Sequence, residues 1–167
     1  MYFDQFGNLT PYERIDLTLQ QAENEFVTSF APQNDVRKRL WLNLAVYNSR
    51  LRILFNVGWA QWIGGSFVTA KPAPGDLDLV NLIEYSDLLN ERLSENFSEG
   101  EFLFCMNAGQ KSGSWHELKI DGYLIPVYPE THPSHKRYQK ELAYWTKVFG
   151  QEENSDRTKG FISLKYD

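Results

Sequence analysis

The chain has 167 residues, 42% of them hydrophobic, and a formal net charge of −5, a size that suits one domain spanning 1–167 and is short for two. No apolar run approaches the ~20 residues needed to cross a bilayer. The start, Met1-Tyr-Phe-Asp-Gln-Phe-Gly7, lacks the basic and apolar regions of an export signal, so a cytoplasmic location is expected. The excess of acid argues against broad, sequence-independent binding of nucleic acid, which depends on Lys and Arg neutralising phosphates; contact with an RNA end stays open.

In chain order, residues 1–58 read as a helical N-terminal part. Thr18 with Gln21 three residues on forms a capping box, and Leu19, Ala22 and Phe26 then fall on one helical face. Thr10-Pro11 with Glu13 is a competing start. Asn34-Asp35 is a second cap signal, followed by Val36, Leu40, Leu44, Tyr47, Leu51 and Leu54 at helical spacing, ending near Gly58.

Residues 59–128 switch period. Ala60-Gln-Trp-Ile-Gly-Gly-Ser66 reads as a buried strand running into a glycine turn, Lys71-Pro-Ala-Pro-Gly75 as a loop and Asp76-Leu-Asp-Leu-Val80 as a second strand. Asp87 to Asn96 looks helical. Glu101 to Met106 looks like a strand, in which Cys105, the only cysteine, reads as a small buried hydrophobe. A polar loop from Asn107 to Ser114 follows, then a strand from Glu117 to Tyr128 that Pro126 bends or ends. In 129–167, Ser134 caps a helix reaching about Phe149 with Tyr138, Leu142, Trp145 and Phe149 on one face, and Gly160 to Leu164 is strand-like. The expected fold is α+β with α/β character, a small mixed sheet flanked by helices.

The chemistry sits at the glycine turn and the acidic strand behind it. Asp76 and Asp78 are i and i+2 on a strand, so both carboxylates share a face while Leu77 and Leu79 point into packing. Like charges so close repel, a cost that a divalent cation offsets. An Asp-x-Asp alone is more often what a solvent-facing strand or turn shows. Nine residues separate it from Gly64-Gly65-Ser66, where bare backbone N–H groups and a hydroxyl can meet phosphate oxygens.

The version here, Trp62-Ile-Gly-Gly-Ser66, Phe67-Val-Thr-Ala-Lys-Pro-Ala-Pro-Gly75 and Asp76-Leu-Asp-Leu-Val80, resembles the signature of the DNA polymerase β-like nucleotidyltransferase superfamily, especially its small stand-alone prokaryotic members. It is similar to an uncharacterised family that begins Phe-x-x-x-Gly-x-Leu-x-Pro, here Phe3 to Pro11, and ends with Lys-Gly-aliphatic, here Lys159-Gly-Phe-Ile162. The resemblance implies the nucleotidyltransferase fold and two Mg²⁺ (or Mn²⁺) ions held by Asp76, Asp78 and a third carboxylate. It also implies transfer of a nucleoside monophosphate from a nucleoside triphosphate to a hydroxyl of a protein, an RNA end or a small molecule. For the third acid Asp121 is preferred, with Glu117 and Glu101 as competitors. Gly64, Gly65, Ser66 and Lys71 would bind the nucleotide, and Lys159 is a further phosphate partner, although a solvated role is commoner for any single lysine. Kinship also suggests a toxin–antitoxin or phage-defence setting with a cognate protein from a neighbouring gene. The alternative is a binding module that keeps the fold and transfers nothing.

His132-Pro-Ser-His135 has the look of a metal pair, but Pro133 breaks the geometry and a loop or cap role is favoured. His116 is unspecific, and Gln151 to Asp156 reads as a solvated turn. No Gly-x-x-x-x-Gly-Lys-[Ser/Thr] or Gly-x-Ser-x-Gly motif occurs.

Overall fold

The computed structural model describes residues 2–30, 35–105, 110–152 and 154–167. A two-stranded antiparallel hairpin, β1 (Tyr2–Phe3) and β2 (Leu9–Thr10), opens the chain and leads into β3 (Arg14–Leu17). Next come α1 (Leu19–Glu23), continued by a π-helical turn over Asn24–Thr28, and the long α2 (Asp35–Phe55). β4 (Trp59–Ile63) and β5 (Leu77–Glu84) flank the glycine turn. α3 (Asp87–Glu95), α4 (Phe97–Leu103) and α5 (Gly113–Leu118) precede β6 (Ile120–Val127), and α6 (His135–Phe149) and β7 (Phe161–Tyr166) complete the order.

β3 to β7 form one five-stranded mixed sheet in the order β3-β7-β4-β5-β6. The outer pairs, β3 with β7 and β5 with β6, are parallel, and the two inner pairs are antiparallel. With six α-helices among the described residues, the fold is α+β as expected. No helix among them is long and apolar enough to cross a membrane.

Strand alternation assigns the two faces. Leu77, Leu79 and Ile83 of β5 point to the side covered by α2, where they join Leu40, Leu44 and Leu51 in the larger core. Val80 and Leu82 point to the other side, where Tyr138, Leu142, Trp145 and Phe149 of α6 cover them, the face read from their spacing. Asp78 lies on this second face, at the end of the strand that α6 leaves uncovered.

Two polar devices tie α2 to the rest. Asn81 on β5 donates to the Tyr47 hydroxyl at 2.8 Å and to the Tyr123 carbonyl at 3.0 Å, while Gln61 on β4 donates to the side chains of Asn81 and Asn48. The second is Arg37, fully buried near the start of α2. Its guanidinium donates to four backbone carbonyls, Phe26 at 2.9 Å, Phe67 at 2.7 Å, Thr69 at 2.8 Å and Lys71 at 2.7 Å, and lies 3.6 Å from the ring centre of Phe30. Burial pulls its pKa down to about 10, which leaves it charged at neutral pH. One side chain thereby fixes the segment that follows Ser66.

Several expectations are corrected. The N-terminal part is not purely helical, because β1, β2 and β3 precede α1; Thr10 closes the hairpin and starts no helix. The Thr18–Gln21 capping box is present, but Leu19 is exposed while Ala22 and Phe26 are buried. The Asn34 cap lies outside the described residues, as do Met106 to Gly109 of the expected strand and loop. Glu101 to Leu103 are helical, and Glu117 and Leu118 end α5, so the last long strand begins only at Ile120. Pro126 sits inside β6, an edge strand, where a missing N–H is tolerated. Ser134 occupies the N-cap position of α6 but makes no side-chain cap; its N–H is taken by the His132 imidazole at 3.0 Å, a turn role for that histidine. Cys105 is half-buried, with its thiol donating to the Gln110 carbonyl.

Replacing Arg37 by Leu leaves four carbonyls without their donors. The expected cost is about 3–5 kcal/mol of folding stability, measurable by denaturant unfolding.

Candidate functional site

Pairing between β5 and β6 sets Asp78 directly opposite Asp121. In a parallel pair, opposed residues project to the same face, so the two carboxylates open into one cleft of about 1300 Å³, with Asp76 at its lip just before β5. The turn after β4 provides the adjoining wall. Gly65 has φ +64°, and a Cβ there would lie 1.7 Å from Oδ2 of Asp78. Glycine is required both for the backbone and for the carboxylate packed beneath it. The Gly64 N–H donates to the Asp78 carbonyl at 3.0 Å, which locks turn and acidic strand together. Ser66 lines the same cleft, and its hydroxyl makes no hydrogen bond among the described residues.

The electrostatics follow from this crowding. Asp121 is 4% exposed; its Oδ2 pairs with Lys111, while its Oδ1 is buried without a hydrogen-bond partner. Asp78 is pushed up to about 6, first by burial and then by the charges of Asp76 and Asp121, against the pull of Lys111 and Lys159. At Lys111 burial opposes the charge, but the hydrogen bond and charge of Asp121, backed by Asp76 and Asp78, leave its pKa raised. Asp76 accepts from the Trp115 indole at 3.3 Å. Lys159 is only 6% exposed and donates to the Gly65 carbonyl at 3.1 Å. This corrects the expectation that a lysine so placed is solvated: the buried ammonium sits against the turn, beside Asp78. Lys71 is exposed at the cleft edge, its backbone carbonyl held by Arg37.

Of the acids weighed for the third position, Asp121 alone lines the cleft; Glu101 and Glu117 are exposed on α4 and α5. Sequence reasoning missed Lys111, Trp115 and Tyr123. Tyr123 was within reach, since it lies two residues beyond Asp121 on a strand and its hydroxyl is 3.4 Å from Asp121 Oδ2. Trp115 enters on α5, where no helix was expected, and Lys111 just ahead of it. The turn from Gln151 to Asp156 was read as solvated, yet most of it lines the cleft; Glu153 lies outside the described residues.

Among the described residues no three His, Cys, Asp or Glu side chains form a ready-made metal shell; Lys111 takes one oxygen of Asp121 instead. The donor set nonetheless suits a hard divalent cation. It is all carboxylate, as Mg²⁺ or Mn²⁺ favours, and Asp121 Oδ1 is an orphaned buried oxygen that a cation would satisfy.

A family model described as a family of unknown function (DUF6932) matches residues 1–165, and the chain belongs to that family. No curated protein and no solved structure matches the chain.

The raised pKa of Asp78 makes folding stability depend on pH. Its folded value, about 6, lies above the ordinary 3.8, so the folded chain holds the extra proton between these limits. Stability present below about pH 4 is therefore lost as pH rises through 6. Asp78→Asn, which keeps the shape and removes the charge, is expected to stabilise the metal-free protein by about 1–3 kcal/mol at pH 7.5, with the gain vanishing at pH 4 in denaturant unfolding. Gly65→Ala is expected to lower the melting temperature, because the new methyl must displace the Asp78 carboxylate.

Proposed function

We propose that this chain transfers a nucleoside monophosphate from a nucleoside triphosphate to a hydroxyl acceptor. The observation that carries the reading is the convergence of Asp76, Asp78 and Asp121 beside the Gly65-Ser66 turn, with one buried oxygen of Asp121 left unpartnered. It agrees with what the resemblance to the polymerase β-like nucleotidyltransferases implies.

In this reading the acceptor oxygen forms a bond to the α-phosphorus, the bond from that phosphorus to the bridging oxygen breaks, and pyrophosphate leaves. Gly65 lets phosphate oxygens approach the backbone closely, and the Ser66 hydroxyl donates to one of them. Lys159, held at the Gly65 carbonyl, and Lys71 at the cleft edge offset the charge of the β- and γ-phosphates. Asp76, Asp78 and Asp121 would hold Mg²⁺ or Mn²⁺, which supplies charge stabilisation to the attacking and leaving oxygens of an in-line displacement. Asp121 takes the proton of the acceptor hydroxyl. Until ligands arrive, Lys111 neutralises Asp121 and lowers the repulsion among the three acids.

A second reading has one observation in its favour. The Lys111–Asp121 pair occupies one oxygen of the third acid, which suits a module that binds a nucleotide or a partner protein, as an antitoxin would, without transfer.

The test is incubation with each labelled triphosphate, Mg²⁺ or Mn²⁺ and candidate hydroxyl acceptors. Transfer by the wild type should fall by about a thousandfold or more in Asp76→Ala/Asp78→Ala and in Asp121→Ala. Transfer that persists in the double variant would overturn the site, and nucleotide binding without transfer would favour the second reading.

A further inference from the structure

The cleft is larger than its charged end requires. The acids, Lys111, Lys159 and Ser66 occupy the end between the sheet and the glycine turn. The remainder is lined by the hairpin loop, the segment after Ser66, the polar turn after α6 and the C-terminal half of α6 itself, and this last wall is of a different chemical kind. Tyr144, Trp145 and Val148 all line the cleft. Tyr144 is 61% exposed, and Val148, one helical turn on, is also exposed. Their side chains therefore form an apolar edge that core packing does not consume. Trp145 behind them is held rigidly. Its ring centre is 4.4 Å from that of Tyr123 and 5.3 Å from that of Phe149, and Tyr144 stands against it edge-on at 82°. Phe6, exposed on the hairpin, lines the same cleft.

With its acidic end read as a metal and triphosphate site, the cleft leaves the flat, weakly polar end of a nucleotide to be placed elsewhere along its walls. The reading of the acidic end as a triphosphate and metal site fixes which end of a nucleotide enters it, so the other end falls on α6. We infer that the face of α6 formed by Tyr144, Trp145 and Val148 is the nucleobase subsite, with Tyr144 as the stacking ring. This inference rests on the nucleotidyl-transfer reading and adds the part of the substrate that the reading leaves unplaced. Tyr144 is steadied by its edge-on contact with an indole that is itself packed against Tyr123 and Phe149, which keeps the entropy lost on stacking small. Stacking recognises any base, and more strongly the larger ring, so this wall selects purine over pyrimidine triphosphates by area.

The experiment measures equilibrium binding of ATP, CTP and inorganic tripolyphosphate, each with Mg²⁺, to the full chain and to Tyr144→Ala and Tyr144→Phe. Because Tyr144 is exposed, the alanine variant should fold, which the unchanged circular dichroism and melting temperature would verify. The expected result is ATP bound more tightly than CTP by the wild type, and ATP weakened about tenfold in Tyr144→Ala with tripolyphosphate unchanged within twofold. Tyr144→Phe should restore ATP binding, since the ring and not the hydroxyl does the stacking. ATP binding that survives Tyr144→Ala, or equal losses for ATP and tripolyphosphate, would overturn the subsite while leaving the charged site standing. If the wild type binds neither ATP nor tripolyphosphate, the nucleotidyl-transfer reading itself falls, and the base subsite with it.

Discussion

The register between β5 and β6 is the constraint on which the site depends. Opposing Asp78 and Asp121 across a parallel pair puts two carboxylates on one face at the sheet's uncovered end, with Asp76 beside them. A slip of one residue would turn either acid into the core under α2. The surroundings are shaped by that placement. Gly65 has no side chain where the Asp78 carboxylate packs, and Gly122, next to Asp121, has none where the Tyr47 hydroxyl and the Leu103 carbonyl approach. Charges of the opposite sign arrive from near and far, Lys111 ten residues before Asp121 and Lys159 from ahead of β7. Repulsion remains, and it is visible in the raised pKa of Asp78.

Behind the site, α2 works as a frame. Arg37 spends its donors on the carbonyls of Phe26, Phe67, Thr69 and Lys71, so the segment after Ser66 is held without a strand or helix of its own. Tyr47 and Asn48 reach Asn81 and Gln61 through a buried polar network that fixes the helix over β4 and β5. A buried network of this kind is tolerable only when its members are satisfied, and then it favours one arrangement over its neighbours. The glycine turn is thus clamped on both sides, by Arg37 after it and by the Gly64–Asp78 backbone bond within it.

What the sequence made legible was whatever repeats locally. α2 and α6 are long enough for their apolar spacing to stand out, and the Asp76-Leu-Asp78 alternation declared which side was polar. Asp121 was legible as a strand acid between apolar neighbours. α4 and α5 were not legible, because Phe102-Leu-Phe104 is the kind of aromatic run that strands favour, and helices of 7 and 6 residues give periodicity too few turns to register. β3 was missed because none of its residues is fully buried and two are exposed, and its partner, β7, lies far along the chain. Lys159 was read as ordinary surface for the same reason: its burial is made by the Gly65 carbonyl and the turn around it, contacts that no local window contains.

β7 lies between β3 and β4, so the central member of the sheet's first three strands is the last of the seven described strands to be synthesised. On a ribosome, β3 and the β4–β5–β6 group would emerge as separate halves with open edges, and neither could close on the other until Phe161–Tyr166 had left the exit tunnel. Lys159 travels with that strand. The nascent chain therefore carries its acids together with Lys111 before the second cation that tempers them, and the cleft acquires its full balance of charge only when β7 joins the sheet.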